Sequence, residues 1–506
     1  MQSNEKKKFS EKVDSFWGIS KKGSSIKVEI FAGLATFLAM AYILTVNPNS
    51  ILWGGTADVR WSSVFIATAL GAVIGTLLMA LLAKMPLAQA SGMGLNSMVG
   101  TIVGGAYGFA FSFGNAMLLV LISGVIFLFL SVIPGGKNKE TGKLISLREV
   151  IFDGMPKAIR NAITVGIGLF IAFIGFQNAG LVQDNQFTLV QFVDLTAEGA
   201  WELGGAGMKA VVALFGLLVI ALLAHYKVKG AVIIGIGVAT ILAIPLGVTS
   251  FDILLGKTDG VTWNVFENFK NFFSMDPDKG GVFFAAFTEG TAFPEGSLMT
   301  CIMLVITFAM IDMFDTMGTV VGCTTNAGLV DETGKPLNYD KIMLSDSVAT
   351  CAGALLGTST VTTFVESGAG VAEGGKTGLT AFVAAILFAL SILLLPLFAF
   401  IPSAAAASAL IYVGVLMMSN VKNIDFEEPT NAIPAFLTII IMVLGYSITK
   451  GIGVGVISFV VIAALKYLIN LIRYACGKCE KPKWEVSVVA LVVTALFLVY
   501  FLVPVV

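Results

Sequence analysis

Thr358-Ser359-Thr360-Val361-Thr362-Thr363-Phe364-Val365-Glu366-Ser367-Gly368-Ala369-Gly370 stands where a membrane-crossing helix is due, yet its residues argue against one. The β-branched Thr and Val favour extended backbone, and the glycines weaken any helix through them. A second stretch of this kind, Gln89-Ala90-Ser91-Gly92-Met93-Gly94-Leu95-Asn96, lies about 270 residues earlier. Asn96 advanced by that offset falls on Glu366. Broken backbone at membrane depth is tolerated only against protein or a wet cavity. Paired interruptions at matching places in two halves point to a transport site near the midplane. The expectation is two short strands meeting at the centre, each running into a half-helix.

The surroundings put these breaks in a membrane. Of 506 residues 57% are hydrophobic and 12% charged, with a mean hydropathy of +0.90. A soluble domain carries about twice that charged fraction. Apolar runs of bilayer length fall near 28–47, 62–83, 87–107, 114–133, 156–180, 207–225 and 229–249, then near 298–322, 342–358, 359–374, 377–400, 402–419, 432–449 and 451–472. The fold class is therefore an all-α polytopic membrane protein of fourteen segments, with segments 3 and 10 broken by extended strands. Thr36-Phe37-Leu38-Ala39-Met40 echoes Thr307-Phe308-Ala309-Met310, again about 270 positions on. Two halves of seven segments have opposite topology, an inverted repeat. One more apolar run, 485–506, either spans or lies along the membrane.

Basic residues orient the chain. Lys6, Lys7, Lys8, Lys21 and Lys22 place the N-terminus in the cytoplasm, in a polar stretch that is not a signal peptide. Lys137, Lys139, Lys143 and Arg148, then Lys227 and Lys229, then Arg473, Lys478, Lys481 and Lys483 fall on the same side. The acidic stretch 250–297 falls outside. A net charge of −1 gives no footing for a nucleic-acid partner. Cys476 and Cys479 form a lone CxxC, short of the second pair that a zinc site needs; no metal is expected.

The intramembrane acids agree with the breaks. Asp312 and Asp315, three residues apart in segment 8, face one side of a helix. Glu366 stands in segment 10. An acid at the bilayer centre costs roughly 2.5–3.5 kcal/mol, which marks such residues as functional candidates. The bland alternative, a cap or helix-to-helix hydrogen bond, weighs most against Asp312. Glu373, Lys376 and His225 sit nearer segment ends and read as interfacial. Gly370 to Thr377 satisfies GxxxxGK[ST], but that loop works only after a strand in a soluble αβ domain, so ATP binding is not expected.

Asp315, Glu366 and Asn96 make a pocket of acceptors with few donors, joined by Ser367 and Thr319. No Arg or Lys is read inside the membrane to meet an anion. The pocket suits a planar neutral ligand with N–H groups and ring or oxo acceptors, with Phe364 or Phe37 to stack on it. Asp312, Asp315 and Glu366 are the candidates to carry a proton between faces, so H+ is the expected coupling ion and no cofactor is needed.

At EIFAGLATFLAMAYILTVNP (29–48), SGMGLN (91–96), FDTMGT (314–319) and TFVESGAGVAEGGKTGLTA (363–381), the chain resembles the nucleobase–cation symporter-2 (NCS2) superfamily, in its AzgA-like branch of adenine, guanine and hypoxanthine permeases. The resemblance implies a cytoplasmic tail (1–27), a core domain (28–133 and 298–400) and a gate domain (156–249 and 402–472). The extracellular loop (250–297) and a C-terminal segment (473–506) complete it. It also implies elevator-like movement, often within a homodimer, in the cell membrane. By motif, Asp315 and Glu366 resemble the acids that hold the base, Asn96 the third-segment residue near the site, and Asp312 a functionally sensitive acid. Phe364 stands where related uracil permeases place an aromatic contact. SGMGLN and SMVG stand where the branch more usually reads PGMGLN and AFF, which leaves that side of the pocket open. Transport of a purine such as adenine, guanine, hypoxanthine or xanthine is the leading reading, an anion transporter of the same fold the alternative.

Overall fold

The computed structural model describes residues 11–52, 58–137, 144–228, 230–255, 261–331, 335–476, 480, 482–484 and 486–502. Lys6, Lys7, Lys8, Lys139, Lys143, Lys229, Lys478, Cys479 and Lys481, which entered the charge and cysteine readings, lie outside the described residues. Among those described, nine helical stretches are long and apolar enough to cross a membrane, the longest being Leu298–Ala327 with 30 residues. The chain is a mostly helical, multi-pass membrane protein.

In chain order, α1 (Ile26–Met40) and α2 (Ile43–Ile51) are followed by α3 (Trp61–Leu78), β1 (Gln89–Ser91), α4 (Met93–Val103) and α5 (Phe113–Val132). A hairpin, β2 (Pro134–Lys137) and β3 (Leu144–Ser146), leads to α6 (Leu147–Gly154) and α7 (Lys157–Asn178). A second hairpin, β4 (Val182–Asn185) and β5 (Leu189–Phe192), precedes α8 (Ala206–His225), α9 (Ala231–Ala243), α10 (Val265–Phe272) and α11 (Ala285–Thr288). The second half runs through α12 (Leu298–Ala327), α13 (Tyr339–Leu356), β6 (Val361–Thr363), α14 (Ser367–Ala372), α15 (Gly378–Ser391) and α16 (Leu395–Ala399). It ends with α17 (Ser403–Met418), α18 (Pro429–Leu444), α19 (Ile448–Ala475) and α20 (Val488–Leu502).

The two broken stretches meet. β1 and β6 pair antiparallel, Gln89 opposite Thr363, Ala90 opposite Thr362 and Ser91 opposite Val361. The pairing extends past both ends: Gly92 N–H donates to Thr360 O (3.0 Å) and Phe364 N–H to Ala88 O (3.1 Å). A two-stranded sheet has two outer edges, and no water is at hand in a membrane to satisfy them. Protein does so instead. The Thr76 hydroxyl of α3 donates to Gln89 O and accepts from Gln89 N–H, each at 3.0 Å. Thr350 of α13 lies 3.2 Å from Val361 O, and Ser367 Oγ accepts from Ala88 N–H at 3.0 Å.

Glycines let the flanking helices close on the sheet. A methyl at Gly75 would come within 2.8 Å of both Gln89 Oε1 and a Val361 side-chain carbon. On the opposite helix, one at Gly353 would meet the Val361 side chain at 2.7 Å. The strands are thus gripped between α3 and α13.

Helices α3, α12 and α13 pack on the sheet, with α5 on α12 and α13 and with α1 and α15 packed together beside α3, while α7, α8, α9, α17, α18 and α19 pack largely on one another. The stretch read as an extracellular loop is more than a loop. Its α10 rests on α3 and its α11 on α5, and Glu289 pairs with Arg60 at 3.1 Å. Ser112 and Asn115 cap α5 reciprocally, and Asn115 Nδ2 also donates to Gly290 O (2.8 Å). Polar backbone at this end finds its partners across the chain, which holds the stretch down.

Gly75→Ala is expected to cost about 1–3 kcal/mol by overpacking. A thermal-unfolding midpoint equal to that of the unaltered protein in the same detergent would contradict the close approach of α3.

Candidate functional site

Asp315 and Glu366 come together beside the strand pair. Asp315 projects from α12; Glu366 stands at the entry to the half-helix α14, the third residue past β6. Glu366 lies within electrostatic range of Asp315, and the Thr362 side chain is within hydrogen-bonding reach of Asp315. The Tyr42 hydroxyl, at the junction of α1 and α2, donates to Glu366 Oε1 at 2.6 Å. Both carboxylates are half-buried, and Val365 between strand and half-helix is 54% exposed. The acids therefore border a space that protein does not fill. From α17, Tyr412 lies within electrostatic range of Glu366. The arrangement offers carboxylate acceptors held in place by a buried hydroxyl donor, with aromatic rings nearby.

The other candidate residues divide. Thr319, one turn past Asp315, is nearly buried. Phe364 is buried, and its backbone continues the strand pairing. Ser367 is fully buried with its hydroxyl committed to Ala88, so it latches the sheet and has little left for a ligand. Asn96 is also buried; its amide donates to Ser91 O (3.2 Å) and its oxygen accepts from Ser359 Oγ. The first residues of the strands, Gln89 and Val361, lie 272 positions apart. Counted from those strand starts, Gly94 stands five residues on, as Glu366 does, and Asn96 sits two residues further into its half-helix. Phe37 packs edge-on against Phe388 at 5.1 Å between centroids, its ring used for packing. Asp312 is buried, with one oxygen beside Thr350 (3.1 Å) and the other without a hydrogen-bond partner among the described residues.

Three residues at or behind the site escaped the sequence reading. Tyr42 was one aromatic among many in segment 1; only the bend between α1 and α2 sets it against Glu366. Asp346 is an acid inside segment 9 and could have been found by the rule that singled out Asp312 and Asp315. Arg148 corrects an expectation. Counted as a cytoplasmic loop charge, it is fully buried, 3.0 Å from Asp346 and over the Phe127 ring at 3.6 Å. A basic residue in a polar, Lys-rich stretch carries no local mark of burial; its partner is supplied by another helix.

The chain matches the permease family Xan_ur_permease over residues 27–454. It is 36% identical over 450 residues to the guanine/hypoxanthine permease PbuO of Bacillus subtilis, covering 88% of this chain and 94% of that one. Over 438 residues it is 34% identical to the adenine permease AdeQ of Escherichia coli, covering 86% and 87%. Among solved structures, the transmembrane domain of the cyanobacterial bicarbonate transporter BicA superposes with a TM-score of 0.56 at 15% identity, over 85% of this chain and 97% of that one. At that identity the likeness concerns the fold alone.

The phosphate-loop pattern at 370–377 has a structural answer. Glu29, buried in the first turn of α1, accepts from Lys376 N–H (3.0 Å), Thr377 N–H (3.2 Å), Thr377 Oγ1 (2.8 Å) and Thr380 Oγ1 (2.6 Å). The amides that would cradle a phosphate at the start of α15 hold the protein's own carboxylate, the charge that a helix N-terminus favours. Lys22 Nζ adds a bond to Lys376 O at 3.0 Å. Glu29→Ala is expected to lower stability by about 1–3 kcal/mol, since it strands buried donors. Millimolar Mg-ATP is expected to leave the unfolding midpoint of the unaltered protein where it is; a saturable rise would restore the nucleotide reading.

Proposed function

The chain belongs to this permease family and is a transporter, not an enzyme; from that premise we propose that it imports purine nucleobases across the cell membrane by proton symport. The relatives PbuO and AdeQ are permeases of guanine and hypoxanthine and of adenine. The observation that carries the substrate class is the convergence of Asp315 and Glu366 at the strand pair, with Tyr42 fixing Glu366. A purine presents N–H groups along its edge, and two carboxylates accept from them. Phe364 and Tyr412 are the aromatic candidates to lie against the ring, and Thr319 stands one turn past Asp315 on α12. A proton on Glu366, Asp315 or Asp312 would move with the base.

The packing into two groups of helices supports a way for the protein to move. The group around the sheet (28–133 and 298–400) acts as the core and the group of α7–α9 and α17–α19 (156–249 and 402–472, with α19 running on to Ala475) as the gate. The base rides with the core in an elevator-like step, in a fourteen-crossing chain whose N-terminus is cytoplasmic and which works as a homodimer. The matching strand breaks, with opposite strand directions, support two inverted halves.

An anion transporter of this fold is the second reading, since a bicarbonate transporter shares the fold. Against it stands Arg148, the guanidinium buried behind the site, which Asp346 already neutralises. The acids nearer the opening would repel an anion.

In a host without purine permeases, the chain is expected to give saturable uptake of a radiolabelled purine, with adenine, guanine, hypoxanthine, xanthine and uracil as competitors. Absence of such uptake from well-expressed protein would sink the proposal. Glu366→Gln is expected to abolish binding, and Tyr42→Phe to weaken it roughly 10- to 100-fold, the worth of a hydrogen bond to a charged group. Uptake surviving Glu366→Gln would favour the anion reading. An uncoupler is expected to stop accumulation; a sodium requirement would refute proton coupling.

A further inference from the structure

Asp346 bonds at once to α6, to the strand pair and to α12. Its Oδ2 takes the Arg148 guanidinium at 3.0 Å, and both side chains are fully buried. Its Oδ1 accepts from Gln89 Nε2 (3.1 Å) and from Thr316 Oγ1 (2.8 Å). Thr316 is the neighbour of Asp315 on α12. Gln89 opens β1 and also reaches Thr363 Oγ1 (3.3 Å), at the end of β6 that leads to Glu366. One carboxylate thus touches the helix that carries the first acid and the strand pair that sets out the second.

Arg148 brings in a further element. It lies on α6, in the connection between α5 of the sheet-bearing group and α7 of the other. The next residue, Glu149, pairs with Lys335 at 3.0 Å, ahead of α13. At the far end of α6, Gly154 O accepts from Ser487 Oγ at 2.5 Å, just before α20. The connecting helix is therefore pinned at its start to the elements behind the site. Net stability does not account for the inner pair, because burying two charges costs about as much as their attraction returns, and apolar replacements often serve as well. What an apolar pair could not supply is the fixed acceptor for Gln89 and Thr316.

We propose that Arg148 and Asp346 are positioning residues that set the spacing of Asp315 and Glu366 and make it depend on the seating of α6. In this arrangement Arg148 orients Asp346, Asp346 orients Gln89 and Thr316, and these hold α12 against the strands. A shift of α6, as the two packing groups move, is passed to the acids. The inference rests on reading Asp315 and Glu366 as the purine site.

The test uses the full-length protein in detergent and in the uptake host. The double variant Arg148→Gln/Asp346→Asn removes both charges together, which avoids an uncompensated buried charge. Arg148→Lys keeps the charge but loses the planar fork, and serves if the double variant does not fold. Two readouts separate positioning from plain stability. Hydrogen exchange of the amides in 89–91 and 361–363 needs no ligand and is expected to quicken roughly tenfold in either variant. Purine affinity is expected to fall about tenfold or more, with a changed order among adenine, guanine and hypoxanthine, since the acids are displaced rather than removed. Folded variants with unaltered strand exchange, or with unaltered affinity and order, would overturn the proposal. If the unaltered protein binds no purine, the functional reading fails; the exchange arm still decides whether Arg148 and Asp346 hold the strands.

Discussion

Two three-residue strands at the centre of a helical membrane protein impose the governing constraint: their outer edges must find hydrogen bonds where there is no water. Most of the interior can be understood as the response. Thr76 closes the edge at Gln89, Thr350 reaches Val361, and Ser367 caps Ala88. Asn47 and Ser91 both bind Thr358 at the approach to β6. Gly75 and Gly353 leave room for the strands between two helices. Polar residues in these spans serve the backbone first. That leaves Asp315 and Glu366 as the half-buried carboxylates facing unfilled space.

The acids within the apolar bulk are handled in different ways. Glu29 is neutralised by a helix N-terminus and two hydroxyls, and so becomes a structural staple. Asp346 is matched by a guanidinium and two further donors. Glu366 takes the Tyr42 hydroxyl at 2.6 Å and its own backbone N–H, and keeps an open side. The degree of satisfaction separates scaffold from site better than burial does. A fully bonded carboxylate has nothing left for a ligand; one oriented by neighbouring donors but open on one side is still available.

Much of the architecture was legible in the residues. The Thr and Val residues at 358–363 and the glycines that follow Gln89-Ala90-Ser91 argue against a continuous helix at both places, a preference carried by the local chain. Asp315 and Glu366 stood out because charge in an apolar run is costly wherever the chain goes. The partners of these groups were not legible. Tyr42 and Glu366 are 324 positions apart, and Arg148 and Asp346 are 198 apart; no local pattern marks either pair. Ser367 and Asn96 looked like ligand contacts because they adjoin the acids and breaks in sequence, but adjacency does not tell which way a hydroxyl or amide points.

The sequence by itself determined a helical membrane protein with two breaks and a few costly acids, since transfer energy and backbone preference are properties of the local chain. Only the tertiary structure decided which strand lies against which and in what register, and that a lysine-rich stretch sends an arginine into the interior. Those outcomes depend on which distant donors reach each buried acceptor, and that is settled when the helices pack.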